Sequence, residues 1–242
     1  GGVVLGHGLT ESNDFYMSEV PFPVGTVLAY ELDEDEVKIS WDGSPEPFNE
    51  WIGHDDEINF DAIGAGGTPF AVASRWTPEL LADYAGNYLS RVSVYIGDFF
   101  IAPATANDAV IEINVWTGTT PTLVYTQTVS SLNYGEWNEI VLDSPVLITG
   151  DEEVWFGYTL VSYSDGTYPA GCDAGPELAG FGSKIYYLGA WYDLTDLAAT
   201  LDYNWNIEGF VTNFATRSTR PLASLENSSF NNMKSLPGNE IL

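Results

Sequence analysis

Val154-Trp155-Phe156-Gly157-Tyr158-Thr159-Leu160 is the stretch that decides the fold class of this chain. Val154, Phe156, Tyr158 and Leu160 share one face when residues alternate, and a period of two belongs to a strand rather than a helix. The same beat recurs on both sides. Val92, Val94 and Ile96 alternate with Arg91, Ser93 and Tyr95, and Ile111, Ile113 and Val115 alternate with Glu112 and Asn114. Phe70 to Trp76, Leu123 to Val129, Trp137 to Leu142, Ile185 to Leu188 and Trp205 to Val211 read as further strands. Such alternation sets one face in a core and the other toward solvent or a second layer. The 24 Gly and 13 Pro supply frequent turn signals between short strands. The expected fold is all-β, a jelly-roll β-sandwich with one or two short helices.

Two segments are expected to be helical. In Thr77 to Gly86, Thr77 can cap, Pro78 suits the first helical position, Glu79 complements the dipole and Gly86 can end the helix. Leu194 to Thr200 reads as a helical turn. Ahead of the main body, residues 1–20 show no periodicity and read as irregular. Val24 to Tyr30 and Val37 to Trp41 flank the acidic turn Asp33-Glu34-Asp35-Glu36 and predict a hairpin. The stretch Asp42 to Pro47 is the expected boundary. The division is therefore 1–48 as lead-in and hairpin, 49–213 as sandwich, and 214–242 as a Ser- and Asn-rich linker or tail.

Charge excludes whole function classes. Seven Lys and Arg face 35 Asp and Glu, a formal net charge of −28. Nucleic-acid binding needs clustered cations and is not expected. Attachment to anionic lipid fails for the same reason, and no apolar run approaches the length of a membrane span. The acidity has two readings: solubility through self-repulsion, or oxygen ligands for a divalent cation. Cys172 stands alone, so no intramolecular disulfide can form. The chain opens Gly1-Gly2, which reads as a trimmed chain lacking an export signal.

The groups that catalysis needs are mostly missing. His7 and His54 are the only histidines, and neither lies in a metal-ligand pair. Gly180-Phe181-Gly182-Ser183-Lys184 lacks the closing glycine of a nucleophile elbow. Cys172 has no cysteine-protease signature around it, and Gly64, Gly66 and Gly67 form no dinucleotide fingerprint. A hydrolase would need two carboxylates facing each other across a cleft, which spacing in a β protein cannot identify.

Binding chemistry is better represented. The segment Gly53 to Asp61 is dense in oxygen ligands. Asp55, Asp56, Asn59 and Asp61 there are the candidate calcium ligands, and a solvated acidic loop is the alternative. Tyr163-Ser164-Asp165-Gly166-Thr167-Tyr168-Pro169 and Tyr186 to Asp193 combine aromatic rings with carboxylates, the composition of sugar-binding loops. Tyr163, Asp165, Tyr168, Asp173, Trp191 and Tyr192 are the candidate ligand-binding residues. Each aromatic among them can equally be a core residue with a polar tip.

Three stretches carry a family resemblance: Trp51 to Gly64 leading to Phe70-Ala71-Val72-Ala73-Ser74-Arg75-Trp76-Thr77-Pro78 and on to Val92; Trp155-Phe156-Gly157-Tyr158 with Tyr168 to Pro176; and Asn204-Trp205-Asn206-Ile207-Glu208-Gly209-Phe210. Together they resemble the jelly-roll modules of secreted bacterial surface proteins related to the cleaved-adhesin domains of gingipain-type haemagglutinins. The last strand also resembles the closing strand of MAM-like jelly rolls. There an Asp-Asp pair often follows Trp-x-Ile, and Glu208 and Gly209 hold those positions here. Leu28 to Pro45 resembles the opening of a fibronectin type III domain. The resemblance implies a non-catalytic adhesion or carbohydrate-binding module, secreted and displayed on a bacterial cell surface. Its partners would be a glycan or a host or neighbouring surface protein, beside further domains of a longer chain. A structural spacer and a glycoside hydrolase are the alternatives.

Overall fold

The structure is a computed structural model. It describes residues 48–213 in full and the backbone of three further strands, 2–5, 27–33 and 36–41. The chain divides into two compact units, one of Gly1–Pro47 with Arg217–Leu242 and one of Phe48–Thr216. The tail expected at 214–242 and His7 lie outside the described residues.

The first unit holds β1 (Gly2–Leu5), β2 (Val27–Asp33) and β3 (Glu36–Trp41). Strands β2 and β3 form the expected antiparallel hairpin, with Val27 opposite Trp41 and Asp33 opposite Glu36. The lead-in read as irregular contributes a strand instead. Gly2 to Leu5 runs antiparallel to Ser40 to Val37. Its four residues are too few to display a period, and a partner supplied by the chain 32 or more positions later is invisible locally.

The second unit is the sandwich. Its strands are β4 (Asn49–Gly53), β5 (Asp61–Ile63), β6 (Phe70–Trp76), β7 (Tyr88–Ile96), β8 (Val110–Thr117), β9 (Thr122–Thr128), β10 (Glu136–Leu147), β11 (Val154–Ser162), β12 (Ala170–Cys172), β13 (Lys184–Tyr187), β14 (Ala190–Asp193) and β15 (Ile207–Thr212). One sheet runs β4-β15-β7-β12-β5, with β10 also paired to β7. The other runs β14-β13-β6-β11-β8-β9. The paired strands are antiparallel, and most spatial neighbours are far apart in sequence, as a jelly roll requires. The alternating residues do what their period demands. Val92, Val94, Ile96, Ile207 and Val211 from one sheet meet Val72, Ile111, Ile113, Val115, Phe156, Tyr158 and Leu160 from the other in one buried core. Gly157 lets the central strands of the second sheet approach: a Cβ there would lie 2.0 Å from the Val72 carbonyl oxygen.

The helical expectation for Thr77 to Gly86 is only partly met. The segment folds as successive turns ending in a 3₁₀ turn, Ala82–Tyr84. Leu81 donates to the Thr77 carbonyl and then Tyr84 donates to that of Leu81. A ten-residue segment carries the cost of helix nucleation with little propagation to offset it, and the fully buried Leu81 pins the turns to the core. At the other site α1 (Leu194–Leu197) forms a single turn, held by reciprocal capping between Asp193 and Asp196.

Candidate functional site

The outer face of the β14-β13-β6-β11-β8-β9 sheet carries a second, smaller apolar cluster. Ala71, Ala73, Trp116 and Trp155 are buried there, with Trp191 packed against them. Register explains the arrangement. Trp191 pairs with Tyr186, Tyr186 with Ala71, Ala71 with Thr159, and Thr159 with Glu112, so one row of side chains crosses five strands. The next row places Ala73 beside Gly157 and Asn114, and the one after places Arg75 beside Trp155 and Trp116. Small residues on β6 and β11 therefore form a trough between large ones on the flanking strands.

The open part of this trough is a cleft of about 440 Å³. Ala71 and Thr159 line it together with Tyr186 and Trp191 from β13 and β14, and Trp116, Pro121 and Leu123 from the β8–β9 side. Trp191 is braced by three aromatic neighbours, with ring centres 5.3 Å from Trp116, 5.2 Å from Trp155 and 5.5 Å from Tyr186. Tyr186 is exposed. The volume falls within the range of small-ligand pockets, and the lining contains no charged side chain.

The polar groups of this face are held in place. The Thr159 hydroxyl donates to Asn114 Oδ1 at 2.6 Å, and Asn114 Nδ2 donates to Thr126 Oγ1 at 3.0 Å. Arg75 grips Glu153 through two hydrogen bonds of 2.8 and 2.6 Å, and its guanidinium lies over the Trp155 and Phe181 rings. Lys184 Nζ sits 2.7 Å from Asp193 Oδ1.

Of the six residues expected to bind ligand, only Trp191 lines the cleft. Tyr192 is its neighbour on β14, and alternation turns it onto the main core. Tyr163 is a correction. It is buried, it donates to the Thr68 carbonyl at 2.9 Å and accepts from the Ala65 amide at 2.7 Å, and no ring face is left for a sugar. Asp173 is a second correction. It is buried, and its carboxylate accepts from the Asn204 backbone, the Asn204 side chain and Gly175, so it fastens two loops together. Tyr168 packs half-buried against Phe99 at 5.4 Å. Asp165 is exposed beside Asp108 and the 103–106 loop, in a separate depression. Sequence reasoning missed Trp116, and it placed Tyr186 in the aromatic stretch 186–193 without counting it among the six candidates. The available signal was an indole at 116 and at 155 on the phase opposite to the core residues of two strands.

The candidate calcium ligands also separate. Asp56 and Asp61 are exposed and accept only from nearby backbone amides, those of Ile58 and Ala62. No three His, Cys, Asp or Glu side chains converge on one point among the described residues, so Asp55, Asp56 and Asp61 do not join Asn59 in one site. Asp55 and Asn59 behave differently. Oδ1 of each is buried without a hydrogen-bond partner, as is Oδ1 of the fully buried Asn206. Asn206 Nδ2 donates to Asp55 Oδ2 at 3.0 Å, the Asn206 backbone N–H donates to the Gly171 carbonyl, and Asn59 Oδ1 lies 2.6 Å from where a Cβ on Gly171 would sit. Register places Glu208 opposite Gly53, next to Asp55. Burial, opposed by the Asn206 hydrogen bond, pushes the Asp55 carboxyl up to about 6. Burial and the charges of Asp55 and Glu57 push Glu208 up to about 7. Gly209, the other position matched to the Asp-Asp pair, faces the core: a Cβ there would meet Leu89 and Phe156.

Two remaining reactive groups are structural. His54 stacks on Trp76 at 4.4 Å with Nε2 2.9 Å from the Arg75 carbonyl, and burial lowers its pKa. The Cys172 thiol is buried and pushed up to about 12 by burial and by Asp61 and Asp173.

No family model matches the chain, and no curated protein matches it. Among solved structures it is similar to the infectious bursal disease virus VP2 subviral particle, at 15% identity and a TM-score of 0.29 over 79% of this chain. A second similar structure, that of the infectious bursal disease virus Gx strain, gives 14% identity and a TM-score of 0.26 over 78% of this chain. The alignment spans 38% of each of those chains.

Proposed function

We propose that this chain is a non-catalytic adhesion module, secreted and displayed on a bacterial cell surface, that binds glycans in the Tyr186–Trp191 cleft. The observation that carries the reading is the cleft itself: an exposed tyrosine and a braced tryptophan standing over a floor of small residues on the face of a sheet. Aromatic faces of this kind suit the apolar faces of pyranose rings, and hydroxyls of threonine and tyrosine suit the sugar hydroxyls. The lining includes no carboxylate, which favours binding over glycoside hydrolysis. Modest affinity at one cleft would be raised by avidity in a longer protein.

Calcium is the cofactor in this reading. Hard cations take carboxylate and amide oxygens, and buried acceptors are rarely left without a partner. Asp55, Asn59 and Asn206 would hold the ion with their three unpartnered oxygens, and the nearby Glu208 would add negative charge. The ion would tie the loop after β4 to β15.

The test is a glycan array probed with the wild-type chain and with Trp191→Ala and Tyr186→Ala, in calcium and in chelator. Specific hits that both variants lose support the reading. Hits retained by both variants would move the site elsewhere, and an array without hits would favour a structural spacer.

A further inference from the structure

The cleft carries information about ligand class, an inference that rests on its being a glycan site. Only three basic residues lie within residues 48–213, Arg75, Arg91 and Lys184. Each is ion-paired: Arg75 with Glu153, Arg91 with Glu139, Lys184 with Asp193. The two on the cleft's own sheet are thus already neutralised beside the aromatic cluster. An anionic sugar is best met by a cationic donor that replaces its water, and the cleft lining offers none: its donors, among them the Tyr186 hydroxyl and the Trp191 indole N–H, are neutral. The chain as a whole, at −28, repels such a ligand at long range.

The hydrogen-bond polarity of the floor points the same way. The Thr159 hydroxyl proton is committed to Asn114 Oδ1, whose own amide is committed to Thr126. Toward the cleft, Thr159 Oγ1 therefore presents only acceptor capacity. A sugar hydroxyl can donate to it. An ionised carboxylate or sulfate is acceptor-only, and would set lone pairs against lone pairs.

We infer that the cleft selects uncharged, hydroxyl-rich glycans and rejects uronate, sialylated and sulfated ones. The two origins of the selection respond differently to salt. Long-range repulsion fades as the screening length falls to about 3 Å near 1 M salt. The mismatch at Thr159 and the missing cation act at contact and persist.

The experiment uses the full chain against immobilised matched probes: neutral β-glucan, mannan, xylan and galactan oligosaccharides, each beside its 6-carboxylated, 6-sulfated or otherwise carboxymethylated counterpart. Binding is read at 20 mM and 500 mM NaCl, with Trp191→Ala as the site control. The expected result is at least one neutral probe bound through Trp191, with its acidic counterpart at least tenfold weaker at both salt concentrations. Acidic counterparts bound within threefold of the neutral probe, or a preference that vanishes at 500 mM salt, would overturn the inference while leaving the glycan reading standing. Absence of binding to every probe, neutral and acidic, would overturn the glycan reading and the inference with it. Thr159→Val adds a local check: it should weaken the neutral probe and narrow the gap.

Discussion

Replacing Asp55 by Asn should make the calcium-free protein more stable at neutral pH, and the gain should disappear in acid. The carboxyl of Asp55 is raised from its ordinary 3.8 to about 6, with burial the largest cause. A carboxyl whose pKa is raised in the folded state is protonated there more readily than in the unfolded chain. Stability is then fully present below pH 4 and is lost as pH rises through about 6. A rise of that size corresponds to about 3 kcal/mol once the group is ionised. Glu208, raised to about 7, extends the loss toward pH 7. Its share is smaller, because it is half-exposed and water screens it. Its repulsion with Asp55 is also a single interaction felt by both groups. In a domain of this size about 3 kcal/mol corresponds to roughly 6–12 °C in Tm. The variant keeps an amide oxygen for the two donors at Oδ2, from Asn206 and Glu57, and cannot ionise. The assay is thermal unfolding from pH 3 to 7.5 in chelator, wild type beside variant. Taking the difference removes the pH dependence that the rest of the chain contributes to both proteins. Wild type should melt below the variant at pH 7.5, and the two should converge near pH 3, below the ordinary carboxyl value of 3.8. Adding calcium at a hundredfold its dissociation constant should then raise only the wild type, by about 2.7 kcal/mol. A gap that is independent of pH, or that favours wild type in chelator at pH 7.5, would refute the account of Asp55 as a carboxyl whose ionisation is penalised by burial more than its hydrogen bonds offset.

Four further outcomes follow from the packing. Gly157→Ala should cost about 3 kcal/mol or prevent folding, read by chemical denaturation, because its Cβ meets the Val72 carbonyl and the Ala73 backbone. Leu188→Asn should add about 0.5–1 kcal/mol, since Leu188 adopts φ 50° in the two-residue turn between β13 and β14 and is 79% exposed; a lower Tm would show that its side chain matters to the fold. Arg75→Met should lose about 3 kcal/mol by stranding Glu153, and adding Glu153→Met should recover much of it, tested in a double-mutant cycle. Cys172 should resist a thiol reagent at pH 8 until the chain is unfolded by denaturant, because the thiol is both buried and protonated there.

The sandwich was legible because burial writes itself into period two. Val154, Phe156, Tyr158 and Leu160 announce their shared face within seven residues, and the structure puts all four in the core. Short elements were not legible for the converse reason. β1, β5 and β12 have three or four residues each, and their strand character comes from pairing with distant chain. The ligand-binding loop at 163–169 misled because composition alone does not distinguish a presented aromatic from a packed one: Tyr163 has the same neighbours in sequence whether its hydroxyl meets water or the backbone at Ala65 and Thr68.

Charge balance and alternation, both local or additive, were sufficient to determine an acidic all-β sandwich. Which side chains meet across strands was decided by register, and register is a tertiary property. It brought Trp191 from an edge hairpin to Trp116 and Trp155 over the small residues Ala71 and Ala73, and it set Asn206 against Asp55 from 151 positions away. A one-residue slip in either pairing would turn those groups to the opposite face. The residues of both candidate sites were present in the sequence from the start, and only the pairing of strands made them neighbours.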